Sequence, residues 1–350
     1  MAGLLASGLL LAWLLAGPAG PARPLSVLVL SSMPARQDQP VMTALARELA
    51  PLERQGRHLI VERGELDPQA SSTHSLLQVE QWLARRPWDL VISTTMLPLT
   101  YVRKLDREIP VLFRSADDPR LYCLVRSLRQ PGTPTTGFTS GQLGWAKMAE
   151  ALHLSFPQIQ GISLLVDGTP APIDPDCPSV KMPPCRPGPI PTKELPQALG
   201  IENDDIGLRL ATVRAKLPLR YVRVCQVEDM TRLATWLPAG QGVLIPSTSM
   251  FYQHRQRLVQ ELQALHLPAV YDARYMLQAG GLMAVKVISE PSEHPQGIEL
   301  ARRILEGADP SRIPIQRPEG FEFIINLRAA QAMGLVPSKV ALRTADQLWR

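Results

Sequence analysis

Residues 109–140 read IPVLFRSADDPRLYCLVRSLRQPGTPTTGFTS, and the fold prediction starts from this stretch. Its first residues, Ile109 to Phe113, form a short apolar run that is typical of a buried strand. Pro119 suits the first turn of a helix, because its missing N–H has no intrahelical partner to lose. Apolar side chains then recur at helical spacing as far as Leu128, and residues 135–139 indicate another strand. The stretch therefore predicts a strand–helix–strand unit with parallel strands.

Polar residues connect the first of these strands to the helix. Ser115 or Asp118 could cap the helix by accepting hydrogen bonds from its first N–H groups, with Asp117 solvated beside it. The alternative is a binding role, because open α/β sheets bind small ligands at the carboxyl ends of their strands. On the residues alone, both interpretations stay open.

The alternation of strands and helices extends along the chain from residue 25. Predicted strands alternate with helices of about 10–15 residues, which indicates parallel sheets with helices on both faces. With 350 residues the chain is long enough for two such lobes. Loops at the carboxyl edge of the first predicted sheet carry hydroxyl residues, among them Ser32 and Thr95. The alternation of strands and helices is interrupted at residues 167–201, a proline-rich segment that we interpret as an insertion at the end of a strand.

The amino-terminal segment, residues 1–22, has a different character. Leu4 to Ala16 is almost wholly apolar, and no charged residue precedes Arg23. This run is shorter than the roughly 20 residues that span a bilayer, and small residues and prolines follow it. We predict a secretory signal peptide cleaved after Ala22 and a periplasmic protein, with an uncleaved anchor as the alternative.

Composition and motifs argue against several classes of protein. The net charge is only +5 and aromatic residues make up 5% of the chain, so we predict no nucleic-acid partner. The sequence contains no G-x-S-x-G elbow, no H-E-x-x-H motif and no glycine-rich phosphate loop, and its six histidines lie far apart. We therefore predict a non-enzymatic protein without catalytic residues, cofactor or metal site.

The four cysteines fit an oxidising compartment. Cys177 and Cys185 lie in the same proline-rich loop, and we predict that they form a disulfide. A structural zinc site would need four ligands, and no histidine lies near this pair. Cys123 and Cys225 fall in apolar surroundings and are predicted to be inert packing residues.

Several phrases of the sequence resemble the substrate-binding proteins of one class of ABC importers, some of which bind aromatic amino acids. The matching phrases are Asp118-Pro119, Gln130-Pro131-Gly132, Thr136-Gly137-Phe138-Thr139, His254 to Val259, Leu267 to Tyr271, Gly307 to Pro310, Ile313-Pro314-Ile315, and FEFIINLRAAQAMGL from Phe321 to Leu335. The last phrase is the most specific. The resemblance covers residues 25–350 apart from the insertion.

The resemblance implies an α/β fold of the type I periplasmic binding protein class. In this fold two doubly wound parallel-sheet lobes, joined by a hinge, close like a clamshell on a small ligand. We place the first lobe at residues 25–139 plus 271–310, the second at 140–270 plus 311–350, and the crossings near 138–141, Tyr271 and 310–318.

The implied function is that of a periplasmic solute-binding component of an ABC importer. Such a protein, predicted here to be a monomer, captures a small molecule such as an amino acid or a related metabolite. It delivers this ligand to a permease in the inner membrane. The alternative is a periplasmic ligand-sensing subunit that signals to a membrane partner such as a sensor kinase.

The resemblance and the predicted carboxyl-edge loops together indicate which residues bind the ligand. They are Ser32, Thr95, Asp118, Thr139 and Ser140 in the first lobe, and Ser247, Thr248, Ser249 and Asp272 in the second. Asp118 is predicted to pair with a ligand ammonium group. Where amino-acid-binding relatives often carry acidic and amide residues, residues 247–249 carry hydroxyls, which leaves another ligand class open.

Overall fold

The computed structural model describes residues 23–67, 70–115, 118–139, 143–168, 185–191, 214–287, 297–318 and 320–350. The predicted signal peptide, Ser140, Cys177 and most of the insertion lie outside the described residues. Within them, the chain forms two sheets with helices packed on both faces, as predicted for two α/β lobes.

The first sheet contains five strands in the order β2-β1-β3-β4-β5. Its strands are β1 (Leu25–Ser31), β2 (Leu59–Glu65), β3 (Leu90–Ser93), β4 (Val111–Ser115) and β5 (Thr135–Thr139). All of them are parallel. The connecting helices are α1 (Ala35–Arg54), α2 (Ser72–Ala84) and α3 (Met96–Leu105).

The second sheet contains eight strands in the order β13-β12-β11-β10-β9-β6-β8-β7. They are β6 (Gly161–Asp167), β7 (Gly188–Pro189), β8 (Leu219–Val224), β9 (Gln241–Ile245), β10 (Ala269–Tyr271), β11 (Met283–Val287), β12 (Phe321–Asn326) and β13 (Gln347–Trp349). Pairing is parallel except between β11 and β12 and between β7 and β8.

Further helices follow β5. They are α4 (Leu143–Ser155), α5 (Leu233–Trp236), α6 (Ser249–Gln253), α7 (Arg255–Ala264), α8 (Arg274–Gln278), α9 (Leu300–Leu305), α10 (Leu327–Ala332) and α11 (Lys339–Thr344). Short 3₁₀ helices occur at Pro119–Tyr122, Val227–Arg232 and Pro310–Arg312. Among the described residues, no helix combines the length and the apolar composition that a membrane crossing would need.

Strand β1 shows why the first sheet lies between two layers of helices. All seven of its residues are buried, as expected for a central parallel strand that is covered on both faces. Val27 and Val29 pack with α1 and α9 on one face. Leu28 and Leu30, which alternate with them, pack with residues of α2 and α3 on the other face.

The lobe boundaries differ from the prediction between residues 271 and 316. Tyr271 pairs with Ile245 and Ala284 inside the second sheet, so the predicted crossing near Tyr271 is wrong. The chain returns to the first lobe only after β11, and α9 packs in the core under the first sheet. Phe138 then pairs with Gln316 in an isolated bridge, which places residues up to 316 in the first lobe. The sequence shows strands in both lobes, but the partner of each strand depends on long-range packing.

The helix predicted from Pro119 to Leu128 is also wrong. Only the 3₁₀ turn Pro119–Tyr122 forms, and Cys123 follows it in the left-handed conformation with φ of 54°. Leu124 and Val125 are nevertheless buried in the core of the first lobe. Their apolar character reflects this burial and not a helical face.

The disulfide pairing corrects the cysteine prediction. Cys185 forms a disulfide with Cys225 and not with Cys177. The physical reason is that β7 runs antiparallel to β8, with Gly188 opposite Arg223, so the chain returns along the end of β8. Cys123 is also disulfide-bonded, so the prediction that Cys123 and Cys225 are inert packing residues is wrong.

Candidate functional site

Two predicted ligand residues meet at the carboxyl edge of the first sheet. Ser32 follows β1, and Thr95 immediately precedes α3. Their hydroxyl oxygens lie 2.8 Å apart, and the backbone N–H of Ser32 also donates to Thr95 Oγ1 at 3.3 Å. The edge therefore carries a pair of hydroxyl groups contributed by two neighbouring strands.

Beside this pair lies a buried carboxylate that the sequence reasoning missed. Asp38, in the first turn of α1, is only 3% exposed. Its Oδ1 accepts hydrogen bonds from Ser31 Oγ at 3.1 Å and Thr94 Oγ1 at 3.0 Å. Its Oδ2 accepts from Arg63 Nε at 2.9 Å and Nη2 at 2.7 Å. Asp38 therefore ties three strand ends together. An acid in the first helical turn after β1 was the one signal that could have indicated it.

The charge of Arg63 is balanced in the same network. Burial acts to lower the pKa of Arg63, but hydrogen bonds with Glu65 and Asp38 outweigh it, and the pKa is raised. Arg63 also donates to the Met33 carbonyl oxygen at 2.6 Å. The ion pair thus holds the loop after β1 in place.

Arg114, at the end of β4, is a second arginine that sequence reasoning missed. Burial lowers its pKa to about 10, while Glu299 and Asp38 act in the opposite direction. The side chain therefore remains cationic at neutral pH. Its guanidinium carbon lies 5.9 Å from the ring centroid of Phe138, on the neighbouring strand.

Asp118 is buried and already paired within its own turn. It is 3% exposed, and its Oδ2 lies 2.6 Å from Arg120 Nη2. Its Oδ1 accepts a hydrogen bond from the backbone N–H of Arg120 at 2.9 Å, which caps the 3₁₀ turn. Thr139 is also buried, and its backbone N–H donates to Gln316 O at 3.0 Å. Asp118 thus serves as the cap of a turn, and the backbone of Thr139 pairs with the segment that returns to the first lobe.

At the carboxyl edge of the second sheet, two other predicted residues come together. Ser247 follows β9 and Asp272 follows β10. The backbone N–H of Ser247 donates to Asp272 Oδ2 at 2.7 Å, and Ser247 Oγ donates to Asp272 Oδ1 in a short hydrogen bond. The Tyr275 hydroxyl donates in turn to Ser247 Oγ at 2.7 Å. The Thr248 hydroxyl instead caps α6 by accepting from the Phe251 N–H at 3.2 Å, and Ser249 is the first residue of that helix.

Enclosure of the Asp272 carboxyl group changes its ionisation. Burial raises the pKa of Asp272 to about 6, although the hydrogen bonds from Ser247 act to lower it. The pKa of Tyr275 is also raised, first by burial and then by the nearby charge of Asp272. Near neutral pH this site therefore holds a carboxylate that is poorly solvated.

A second tyrosine, Tyr252 of α6, completes this cluster. Its ring centroid lies 4.8 Å from that of Tyr275, with the two rings perpendicular. Tyr252 is 2% exposed, and its hydroxyl has no hydrogen-bond partner among the described residues. We name Ser247, Asp272, Tyr275 and Tyr252 the second-lobe cluster. Sequence reasoning found its serine and its acid but missed both tyrosines.

The two edges suit recognition of a small polar molecule. Each offers hydroxyl groups beside a charged side chain, and the second-lobe cluster adds aromatic surface. Among the described residues, no three histidine, cysteine, aspartate or glutamate side chains are grouped to hold a metal ion.

Comparison of the sequence with protein families identifies one match. Residues 207–348 match the family model for ABC transporter substrate binding proteins. The resemblance inferred from the sequence phrases is thereby confirmed for the carboxyl-terminal part of the chain. Comparison with curated protein sequences finds no relative.

Solved structures share the whole fold. One is an ABC domain from Streptococcus pneumoniae in complex with L-Trp, with a TM-score of 0.69 and 16% identity over 92% of this chain and 99% of that one. Another is a conserved domain protein from Vibrio cholerae, with a TM-score of 0.70 and 15% identity. The match covers 93% of this chain and 100% of that one. A third is a substrate-binding protein with adhesive properties from Clostridium difficile in its ligand-free, open form. Its TM-score is 0.62 and its identity 12%, and the match covers 93% of this chain and 99% of that one. These likenesses confirm the predicted fold, which is that of two-lobed type I periplasmic binding proteins.

Proposed function

We propose that this protein is the periplasmic solute-binding component of an ABC importer. In this role it captures a small polar molecule between its lobes and delivers the molecule to a membrane permease. The observation that carries the proposal is the match of residues 207–348 to the substrate-binding family, in a chain whose full fold is that of such proteins.

The candidate site supports capture of a ligand between the lobes. The Ser32–Thr95 pair lies at the carboxyl edge of one sheet and the second-lobe cluster at that of the other. In the two-lobed binding fold such edges enclose the ligand, and neither lobe alone can bury it. A ligand that contacts both edges would therefore favour the closed arrangement.

Binding is tested with purified protein and a panel of small metabolites, scored by thermal unfolding. A ligand at 100 times its dissociation constant should stabilise the protein by about 2.7 kcal/mol. Thr95→Val, which removes a hydroxyl from the candidate site, should weaken binding of any hit roughly tenfold, the usual scale for one lost hydrogen bond. Thr344→Val removes a hydroxyl whose hydrogen bond, among the described residues, is to the Val340 carbonyl oxygen of its own helix, and it should leave the affinity unchanged.

Transport is tested by comparing solute uptake in cells that make the protein and cells that lack it. Loss of high-affinity uptake of the ligand, restored by the wild-type gene, supports the importer role. Unchanged uptake combined with a lost transcriptional response to the ligand would favour the signalling alternative.

A further inference from the structure

We propose that the amino-terminal edge of the first sheet is a membrane-binding face that docks on anionic phospholipid headgroups. This edge lies at the opposite end of the first lobe from the carboxyl edge, which carries the Ser32–Thr95 pair. The proposal goes beyond the proposed function, because it concerns where the protein rests and not what it captures.

The topology of the first lobe collects basic residues at this edge. Because all five strands are parallel, each strand begins at the amino edge, and the helices that connect them end there. Residues before the strands and at the helix ends are therefore neighbours. The exposed or half-buried cations in these positions are Arg23, Arg54, Arg57, Arg85, Arg86, Lys104, Arg107, Arg126, Arg129 and Arg312.

Acidic residues neutralise only part of this charge. Ion pairs join Arg23 to Asp89, Arg85 and Arg86 to Glu62, Arg312 to Asp309, and Arg302 of α9 to Glu306. The other acids of the edge are Glu53, Asp106 and Glu108. Five cations make no ion pair among the described residues, namely Arg54, Arg57, Lys104, Arg126 and Arg129. The edge therefore presents an excess of positive charge to the solvent.

A recess at one corner of this edge fits a phosphate group. It has a volume of about 480 Å³ and is lined by Ser127, Arg129, Gln130 and Arg312. The recess lies beside the start of β5, where the N–H of Gly132 donates to the Ser311 carbonyl oxygen at 3.0 Å. Guanidinium groups bind phosphate oxygens through two parallel N–H donors, so Arg129 and Arg312 suit a phosphate headgroup.

The point where the chain enters the lobe indicates a lipid surface as the partner. Arg23 directly precedes β1 and pairs with Asp89 before β3, so residues 1–22 join the lobe at this same edge. Their sequence contains the apolar run from Leu4 to Ala16 and no charged side chain. An apolar segment attached here brings the basic edge next to lipid, both during export and where the segment is retained as an anchor.

The expected contact is reversible and depends on salt. Each Lys or Arg near an anionic membrane surface strengthens binding by about fivefold, and the attraction falls off within a Debye length of about 8 Å at physiological salt. The cations of this edge can therefore act together on one surface. Leu105, between Lys104 and the following loop, is an exposed apolar side chain that can enter the headgroup layer.

The test measures cosedimentation of the purified full-length chain with two kinds of vesicle. One contains phosphatidylethanolamine mixed with phosphatidylglycerol, and the other contains phosphatidylcholine alone. We expect at least about tenfold tighter binding to the anionic vesicles at low salt, and loss of this difference at about 0.5 M NaCl. The apolar segment would bind both kinds of vesicle alike, so the difference between them reports the charged face.

Variants then assign the difference to this edge. Arg57→Gln/Arg129→Gln removes two cations that have no ion pair among the described residues, and it should weaken binding to anionic vesicles about 25-fold. Lys339→Gln/Arg343→Gln makes the same change in charge on α11, and binding should be unchanged. This helix lies at the far end of the second lobe, where the Ser338 N–H donates to the Ser155 carbonyl oxygen at the end of α4.

The outcomes judge the membrane face separately from solute capture. Equal binding to the two kinds of vesicle, or equal effects of the two double variants, overturns the proposal. Release of the protein from anionic vesicles by millimolar glycerol 3-phosphate at constant ionic strength also overturns it, because the recess would then be a site for soluble phosphates. A face that fits an acidic protein instead would leave the vesicles unbound. The comparison of vesicles needs no variant, and the metabolite panel tests solute capture whichever result is found.

Discussion

Burial of one side chain makes the stability of the ligand-free protein depend on pH. The pKa of Asp272 is raised by burial from 3.8 to about 6. Between these values the folded state binds more protons than the unfolded state, so the stability falls as pH rises from 4 to 6. The contribution of Asp272 is most favourable below its unfolded pKa and is lost above its folded pKa.

Asp272→Asn should remove this dependence. We expect the variant and the wild type to differ little near pH 4, and the variant to gain roughly 1–3 kcal/mol relative to the wild type above pH 6, because about two pKa units correspond to this range. Urea unfolding at a series of pH values measures the difference. A constant difference across the series would show that the Asp272 carboxyl group titrates normally.

Replacement of Asp38 should lower the free energy of unfolding, whereas replacement of Asp272 should raise it above pH 6. Asp38→Asn removes the more buried of the two carboxylates that pair with the guanidinium of Arg63, since both hydrogen bonds to Asp38 Oδ2 are weakened while the exposed Glu65 remains. We expect a loss of about 3 kcal/mol in the free energy of unfolding. Glu150→Gln breaks the exposed pair with Lys147 and serves as the control, with an expected loss below about 1 kcal/mol. Equal losses in the two variants would contradict the structural role of Asp38.

The sequence indicated some of the groups at the two edges but few of their partners. Ser247 and Asp272 each follow a recognisable strand, and the structure brings them into hydrogen-bond contact. Asp38 was missed because its partner Arg63 lies 25 residues away, on a strand whose neighbours the sequence does not specify. Tyr252 was missed because a tyrosine on an apolar helix is usually a packing residue.

At the scale of whole elements, one apolar run formed the predicted strand, whereas one apolar spacing did not form the predicted helix. The apolar run at Ile109 to Phe113 overlaps β4, because a parallel strand that is buried on both faces is a nearly continuous run of apolar residues. The apolar spacing after Pro119 did not produce a helix, because the chain turns through a left-handed Cys123 and buries the same side chains from a loop. Strand β13 follows the last recognised phrase and went unpredicted.

The disulfide fixes one element to another and should contribute measurably to stability. It connects β7 with the end of β8 and closes a segment of 40 residues. We expect the double variant Cys185→Ser/Cys225→Ser to lose about 3–4 kcal/mol in the free energy of unfolding, chiefly because its unfolded chain is less restricted. Denaturant unfolding of the variant measures this loss without disturbing the disulfide of Cys123.

Peptide mapping under non-reducing conditions provides the direct control. A peptide pair joining Cys185 to Cys225 should appear, and it should disappear after reduction. A pair joining Cys177 to Cys185 would contradict the structure and restore the pairing expected from the sequence.

At the scale of the molecule, the connections between the lobes determine how the chain can move. The described parts of the chain pass between the lobes after Thr139, after Val287 and after Gln316, where β5 and the returning segment are joined by the Phe138–Gln316 bridge. A few connecting residues can absorb the rotation of two lobes that each keep their own core. Hinge closure is therefore the motion that this architecture favours.

Ligand binding should make the protein more compact. A single compact body of this length has a radius of gyration of about 20 Å, and two lobes with an open cleft between them exceed this value. We expect small-angle scattering to show a decrease in the radius of gyration when a hit from the metabolite panel is added to saturation. Closure follows only if the ligand contacts both lobes, so Thr95→Val should keep the larger radius at a ligand concentration that saturates only the wild type. A ligand that binds without changing the radius would show that one lobe alone holds it, and the clamshell mechanism would then not apply to this protein.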